Sequence, residues 1–313
     1  MRIVFFGTTH FSATVLRAVL EQIGGVLAVV TQPDRPAGRG RQMREAAVKK
    51  LALELGLPFH TPADPSARDF VQLVRGFDAE IFAVAAYGHI FGPSLLTAPA
   101  RGCVNVHASL LPKYRGAAPI HHALINGDSE TGITTIWMDE RMDAGDMILQ
   151  RPMAIAPDDN VRSLERRLAD VGAEALVETL RLIEAGTAPC MKQDGAQATY
   201  APAVSHTRAQ IDWTLDARRI VNLVRGASPT PGAYTFHRGK RLNVLRALEK
   251  PAPEAGTAGE IVETQPDGLL VKAGTGAVLL AEIQPEGGRP MSAAEYARGH
   301  RPRRGEVLGA QPE

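Results

Sequence analysis

The chain has 313 residues, 44% of them hydrophobic and 22% charged, with a formal net charge of +1. That is ordinary for a globular protein of about two domains, and it excludes a polycation that holds nucleic acid by bulk charge. No apolar run reaches the ~18 residues of a helical span, so no membrane-spanning helix is expected.

Cys103 and Cys190 lie far apart. They make neither a disulfide framework nor a metal spacing, which fits a reducing compartment. The opening "MRIVFFGTTHF" breaks at Gly7 and reads as a first strand, without the build of a signal peptide. A cytoplasmic location is expected.

The continuous apolar run "RIVFF" (2–6) predicts a strand buried on both faces. "FSATVLRAVLEQI" (11–23) has helical spacing, with Val15, Leu16, Val19, Leu20 and Ile23 on one face. A strand is predicted at 26–32, helices at 46–56 and 69–77, and strands at 79–88 and 102–109. Strands alternating with helices at this spacing imply βαβ units and a Rossmann-like, doubly wound, mostly parallel sheet. Segments 134–139, 147–155 and a long amphipathic helix over 163–186 extend this α/β domain, taken as 1–189.

Residues 190–207 lack strong periodicity and read as a linker. From 208 to 313 the pattern changes. One helix (216–227) is followed by short β-like runs punctuated by Gly and Pro, which predicts a small barrel or sandwich. Lys and Arg slightly outnumber Asp and Glu here, a weak sign of nucleic-acid contact.

The first βα turn, Gly7-Thr8-Thr9-His10, lacks the dinucleotide pattern, and no Walker A sequence occurs. Ligands of open α/β sheets bind outside the carboxyl ends of strands. In "GCVNVHASLLPKYRGAAP" (102–119) the period of two puts Cys103, Asn105, His107 and Ser109 on one face of a strand's end. An amide donor beside an imidazole is a plausible polarising and proton-transfer pair. By spacing alone, a satisfied structural pair remains the commoner outcome.

Pro112 and Gly116 shape the following loop, and Lys113 and Arg115 would attract an anion. "MDERMDAGDMI" (138–148) adds Asp139, Asp143 and Asp146 around a turn, any of which could stabilise a charged His107. "TQPDRPAGRGRQMREAAVKK" (31–50) carries Arg35, Arg39, Arg41, Arg44, Lys49 and Lys50 against Asp34 and Glu45. Gly and Pro are expected to keep its first part out of regular structure, giving a basic arm suited to phosphates. A solvated loop is the alternative.

Across nearly its whole length the chain resembles the methionyl-tRNA formyltransferases, enzymes that use 10-formyltetrahydrofolate. "NVHASLLPKYRGAAPI" and "DAGDMI" resemble the signature of the donor-using domain. "TQPDRPAGRGR" resembles the basic insertion of the tRNA-formylating members, and "QIDWTLDARRIVNLVRGASPTPGAY" and "LAEIQPEGGRPMSAAEYARGH" resemble their C-terminal domain. The chain departs from the family pattern at Thr9-His10, at His121-His122 and at Thr230.

The resemblance implies an OB-like C-terminal barrel that supports tRNA binding, and an Asn105–His107–Asp143 triad. It implies a formyl group moving from 10-formyltetrahydrofolate to the α-amine of initiator methionyl-tRNA, with no metal. Asn105 and charged His107 would steady the oxyanion, and Asp143 would hold His107 and help move the amine proton. Ser109, Leu110, Leu111 and Pro112, with Tyr87, Gly88 and Ile90, would line the folate site. Phe11 would contact the methionine side chain. Arg35, Arg39 and Arg41 would meet the acceptor stem. A monomer is expected. Two alternatives stand beside this: a formyltransferase for an amino-sugar nucleotide, and an RNA-binding module with a dead centre.

Overall fold

The computed structural model describes residues 1–37, 42–251 and 256–309. The chain forms two compact units. The first comprises Met1–Pro119, Glu130–Ala154 and Glu165–Ala201; the second comprises Ile120–Ser129, Ile155–Leu164 and Pro202–Glu313.

In chain order the elements up to residue 184 are β1 (Ile3–Gly7), α1 (His10–Gln22), β2 (Val26–Val30), β3 (Arg35–Ala37), β4 (Gln42–Arg44), α2 (Ala47–Glu54), β5 (Phe59–His60), α3 (Arg68–Arg75), β6 (Ile81–Ala85), α4 (Pro93–Leu96), β7 (Cys103–His107), α5 (Pro119–Asn126), β8 (Glu130–Trp137), β9 (Met147–Ala154) and α6 (Val161–Glu184). Seven strands make one sheet in the order β5-β2-β1-β6-β7-β8-β9. β5, β2, β1, β6 and β7 run parallel, and β8 and β9 close one edge antiparallel. The expected Rossmann-like, mostly parallel sheet is present.

The chain proceeds outward from β1 in both directions, so the switch point lies between β1 and β6. There Ser12 Oγ donates to the Ala85 carbonyl (2.6 Å) and Thr8 Oγ1 to the Tyr87 carbonyl (3.1 Å). Thr9 caps α1, with Ser12 as its reciprocal partner.

β1 and β6 are buried along their whole length, as continuous apolar runs must be. A core cluster joins Phe6, Phe82, Tyr87, Phe91 and Leu95 to Cys103 at the start of β7. Burial pushes the Cys103 thiol up to about 12. α6 packs over the sheet through Gly172, where a Cβ would stand 3.0 Å from the Phe11 ring and 3.2 Å from Val106. A larger residue there would overpack the core at a cost of about 1–3 kcal/mol.

The arm after β2 differs from expectation. Its described ends, β3 and β4, pair antiparallel as a two-stranded ribbon, with Pro36 opposite Met43. A two-stranded ribbon is all edge, so Pro fits without costing a central ladder bond. At its base Lys49 Nζ donates to Asp34 Oδ2 at 2.5 Å.

The second unit continues with α7 (Ala217–Ala227), β10 (Ala233–His237), β11 (Lys240–Lys250), β12 (Ile261–Gln265), β13 (Gly268–Lys272), β14 (Ala277–Pro285), β15 (Met291–Ser292) and α8 (Ala293–His300). Its sheet is antiparallel, in the order β10-β11-β14-β13-β12, with β15 beside β14. Its core includes Trp213, Ile220, Val244, Leu269, Leu280 and Tyr296. α8 opens with a capping box from Ser292 and Glu295. Among the described residues no helix is long and apolar enough to cross a membrane.

Candidate active site

β7 places the two polar residues. Its Val104 and Val106 alternate with Cys103, Asn105 and His107, and Val106 faces Gly172 of α6, so Asn105 and His107 project from the other face. In register, Asn105 lies beside Val84 and Ile136, and His107 beside Thr134. His107 is 5% exposed.

Its Nε2 stands 2.9 Å from the Tyr114 carbonyl. A carbonyl only accepts, so Nε2 is the donor here and the ring's other nitrogen is left for a second partner. That nitrogen, Nδ1, faces Asp143 Oδ1 at 3.6 Å. The same oxygen lies 3.4 Å from Asn105 Nδ2, which donates to it. Asp143 Oδ2 accepts from the Gly116 backbone N–H at 2.9 Å. The carboxylate thus has one oxygen anchored by the loop and one directed at Asn105 and His107.

Asp143 sits in the turn between β8 and β9 with a left-handed backbone, φ +51°. Asp tolerates this region better than most residues. Two residues on, a Cβ at Gly145 would lie 1.7 Å from the Trp137 carbonyl, so only glycine fits the close return of the turn. Of the three acids weighed from the sequence, Asp143 is the one facing His107; Asp139 accepts from Arg141, and Asp146 from Lys192.

The loop after β7 is pinned from below. Thr134 Oγ1 donates to the Ser109 carbonyl (2.7 Å) and accepts from Leu111 N–H (3.0 Å), while Gln150 Nε2 donates to the Leu111 carbonyl (2.8 Å). Ser109 Oγ donates to the Lys113 carbonyl at 2.6 Å. Ser109 and Leu111 are buried, and Leu110 and Pro112 half-buried. Lys113 is exposed, as a residue that meets an anion should be. Arg115 is not: it is 9% exposed and its guanidinium donates twice to Gln193 Oε1. Its place is internal, a correction to the expectation that it attracts an anion.

At the end of β6, Tyr87 is buried and its carbonyl also accepts from Gln32 Nε2 at 2.7 Å. Burial, then the nearby Asp64, pushes its phenol strongly up. The Tyr87 hydroxyl and His89 Nε2 are buried without a hydrogen-bond partner among the described residues. Gly88 and Ile90 are exposed. Phe11, 4% exposed, belongs to the core near Gly172. Arg35 opens β3; Arg39 and Arg41 lie outside the described residues. No group of three or more His, Cys, Asp or Glu suited to a metal ion occurs among the described residues.

A family model described as formyl transferase matches residues 1–180, and one described as formyl transferase, C-terminal domain matches residues 203–301. The methionyl-tRNA formyltransferase of Moorella thermoacetica is 46% identical over 309 residues, covering 99% of each chain. That of Geobacter sulfurreducens is 43% identical over 309 residues, covering 99% of this chain and 97% of its own. The chain belongs to the methionyl-tRNA formyltransferase family.

Solved structures share the fold at lower identity. HypX from Aquifex aeolicus in complex with tetrahydrofolic acid matches with a TM-score of 0.63 at 17% identity, over 95% of this chain and 47% of that one. An N-formyltransferase from Helicobacter canadensis, in complex with folinic acid and dTDP-3-aminofucose, matches with a TM-score of 0.68 at 16% identity, over 90% and 99%. Asn105, His107 and Asp143 all fall within the segment that the formyl transferase model matches.

Sequence reasoning missed four supports of this cluster: the Tyr114 carbonyl, the Gly116 N–H, and the side chains of Arg115 and Gln193. The first two are backbone groups, and no residue type announces them. Tyr114 takes a left-handed backbone, φ +62°, which turns its carbonyl toward His107.

Proposed function

We propose that the Asn105–His107–Asp143 cluster carries formyl transfer from 10-formyltetrahydrofolate, a co-substrate, to the free α-amine of methionyl-tRNA. The observation behind this is the one carboxylate oxygen, Asp143 Oδ1, held near both Asn105 Nδ2 and His107 Nδ1. The amine lone pair forms the new C–N bond, the formyl carbon's bond to the folate nitrogen breaks, and one proton passes from the amine to that nitrogen.

This chain's part is electrostatic and protonic. Asn105 Nδ2 has a second N–H for the oxyanion. His107 with a proton on Nδ1 supplies positive charge beside it, and Asp143 balances that charge. The contacts at 3.4 and 3.6 Å are looser than ordinary hydrogen bonds. Such contacts often tighten only when substrate is bound.

Ser109 to Pro112 and the Tyr87–Ile90 backbone line the folate side in this reading. The Tyr87 hydroxyl and His89 Nε2, buried without a hydrogen-bond partner among the described residues, are consistent with it, since they leave polar capacity beside this stretch. Phe11 backs the methionine side, and the arm with Arg35, Arg39 and Arg41 meets acceptor-stem phosphates.

The test offers 10-formyltetrahydrofolate with methionyl-tRNA, or with an amino-sugar nucleotide. Formylation of the tRNA alone is expected. Formylation of the sugar alone would replace this reading with the sugar-nucleotide one, and inertness toward both would favour an RNA-binding module.

A further inference from the structure

Residues 189–201 follow α6 as a strap within the first unit, interrupted by a single 3₁₀ turn at Gly195–Gln197. At one end the strap holds the turn that carries Asp143. Trp137 Nε1 donates to the Pro189 carbonyl (3.2 Å), and Met147 and Met191 exchange backbone bonds (2.8 and 2.9 Å). At the other end it holds the loop that carries Tyr114 and Gly116. Arg115 N–H donates to the Thr199 carbonyl (2.9 Å), Ala201 N–H to the Arg115 carbonyl (2.7 Å), and Tyr114 N–H to Thr199 Oγ1 (2.9 Å).

Gln193 is where one side chain holds both. Its Nε2 donates to the Asp143 carbonyl (2.9 Å) and the Gly145 carbonyl (2.7 Å). Its Oε1 accepts from Arg115 Nε (3.1 Å) and Nη2 (2.7 Å). All four hydrogen-bonding positions of the amide are therefore used. The reverse orientation would set N–H against guanidinium and oxygen against carbonyls, so chemistry fixes which end is which.

Asp143 needs such support. Its left-handed backbone is costly for a residue with a side chain and persists where neighbours over-determine it. Its Oδ2 is anchored to Gly116, one residue beyond Arg115. Arg115 and Gln193 thus lock the turn to the loop, and the lock sets how far Asp143 Oδ1 stands from Asn105 and His107.

We propose that Gln193 is a positioning residue for formyl transfer, acting through the backbone of Asp143 with Arg115 as its anchor. This rests on the reading of Asp143 given above. Gln193→Ala lowers kcat about 10- to 100-fold, because displacements on the order of 1 Å suffice for that, while the KM for the folate donor stays near wild type and the enzyme, though less stable for the loss of Arg115's partner, remains folded at the assay temperature. Gln193→Glu keeps the acceptor for Arg115 but cannot donate to the two carbonyls, and is expected to be as slow as Gln193→Ala. Lys192→Ala, an exposed neighbour on the same strap, leaves kcat unchanged.

The deciding measurement is a double-mutant cycle with Asp143→Asn, read in single turnover. If Gln193 acts through Asp143, adding Gln193→Ala to Asp143→Asn costs little more. The proposal is overturned if Gln193→Glu is as fast as wild type, or if Gln193→Ala exacts its full cost again in the Asp143→Asn background. An Asp143→Asn enzyme as fast as wild type would instead overturn the role of Asp143 itself, and this proposal with it.

Discussion

Two buried histidines end strands in this molecule, and each faces a carboxylate. His237 closes β10 and is 4% exposed. Its Nδ1 meets the Tyr296 hydroxyl at 2.6 Å and its Nε2 meets Glu306 at 2.8 Å. Arg238 holds the same carboxylate through two bonds, first cause of its being pushed down to about 2. Every polar atom there is matched at short range. At His107 one nitrogen is fixed at 2.9 Å, and the other looks across 3.6 Å at a carboxylate anchored by its far oxygen. A fully satisfied pair holds β10 to the C-terminal segment. The looser pair, at a strand's carboxyl end, is the one proposed to act on substrate.

The largest effect that could break this contrast is on rate. His107→Ala is expected to lower kcat by about 10²–10⁴-fold, the span of a general acid–base or oxyanion group, with folate binding retained. His237→Ala should leave kcat near wild type at 25 °C. Equal losses of rate in the two would erase the distinction.

The basic arm after β2 should behave like neither histidine. Arg39→Ala with Arg41→Ala is expected to raise the KM for methionyl-tRNA and spare kcat. The salt slope of binding should become shallower by about one to two units if two phosphate contacts are lost. An unchanged slope would mean that the arm does not reach phosphates.

The smallest effect is on stability. Glu306→Gln removes charge-assisted bonds to Arg238 and His237 and should cost roughly 1–3 kcal/mol. Its pH dependence has a definite sign. The folded carboxyl is held down, so its stabilisation is full above the ordinary carboxylate range and is lost as pH falls toward about 2. Urea midpoints measured from neutral pH downward should fall more steeply in wild type than in Glu306→Gln. Parallel curves would show that the carboxylate contributes nothing.

The contrast also marks what the sequence could show. "CVNVH" and "AYTFH" are both alternating runs that end in His, and period two reads them alike. The alternation of apolar runs and helical stretches was enough for the parallel sheet, because strands buried on both faces are continuous in sequence. The partner of His107 was not readable by spacing; Asp143 stood out only through the resemblance to the family. Arg115 misled because a cation in a loop reads as exposed, and only the fold brings Gln193 to it. The ribbon β3–β4 was hidden by Pro36 and the neighbouring glycines, which argue against central strands but not against a two-stranded edge. The strap looked like a linker because its bonds run to distant loops through its backbone, which leaves no hydrophobic period.

In the proposed mechanism the charge of Asp143, directed at Asn105 and His107, drives the transfer. Asp143→Asn tests it most directly, since an amide keeps the size of the side chain and an oxygen for the Gly116 N–H. The measurement is the single-turnover rate of methionyl-tRNA formylation at saturating 10-formyltetrahydrofolate, together with the donor's dissociation constant. The rate is expected to fall by about two orders of magnitude or more, with donor affinity unchanged. A rate equal to that of the wild-type enzyme would contradict it.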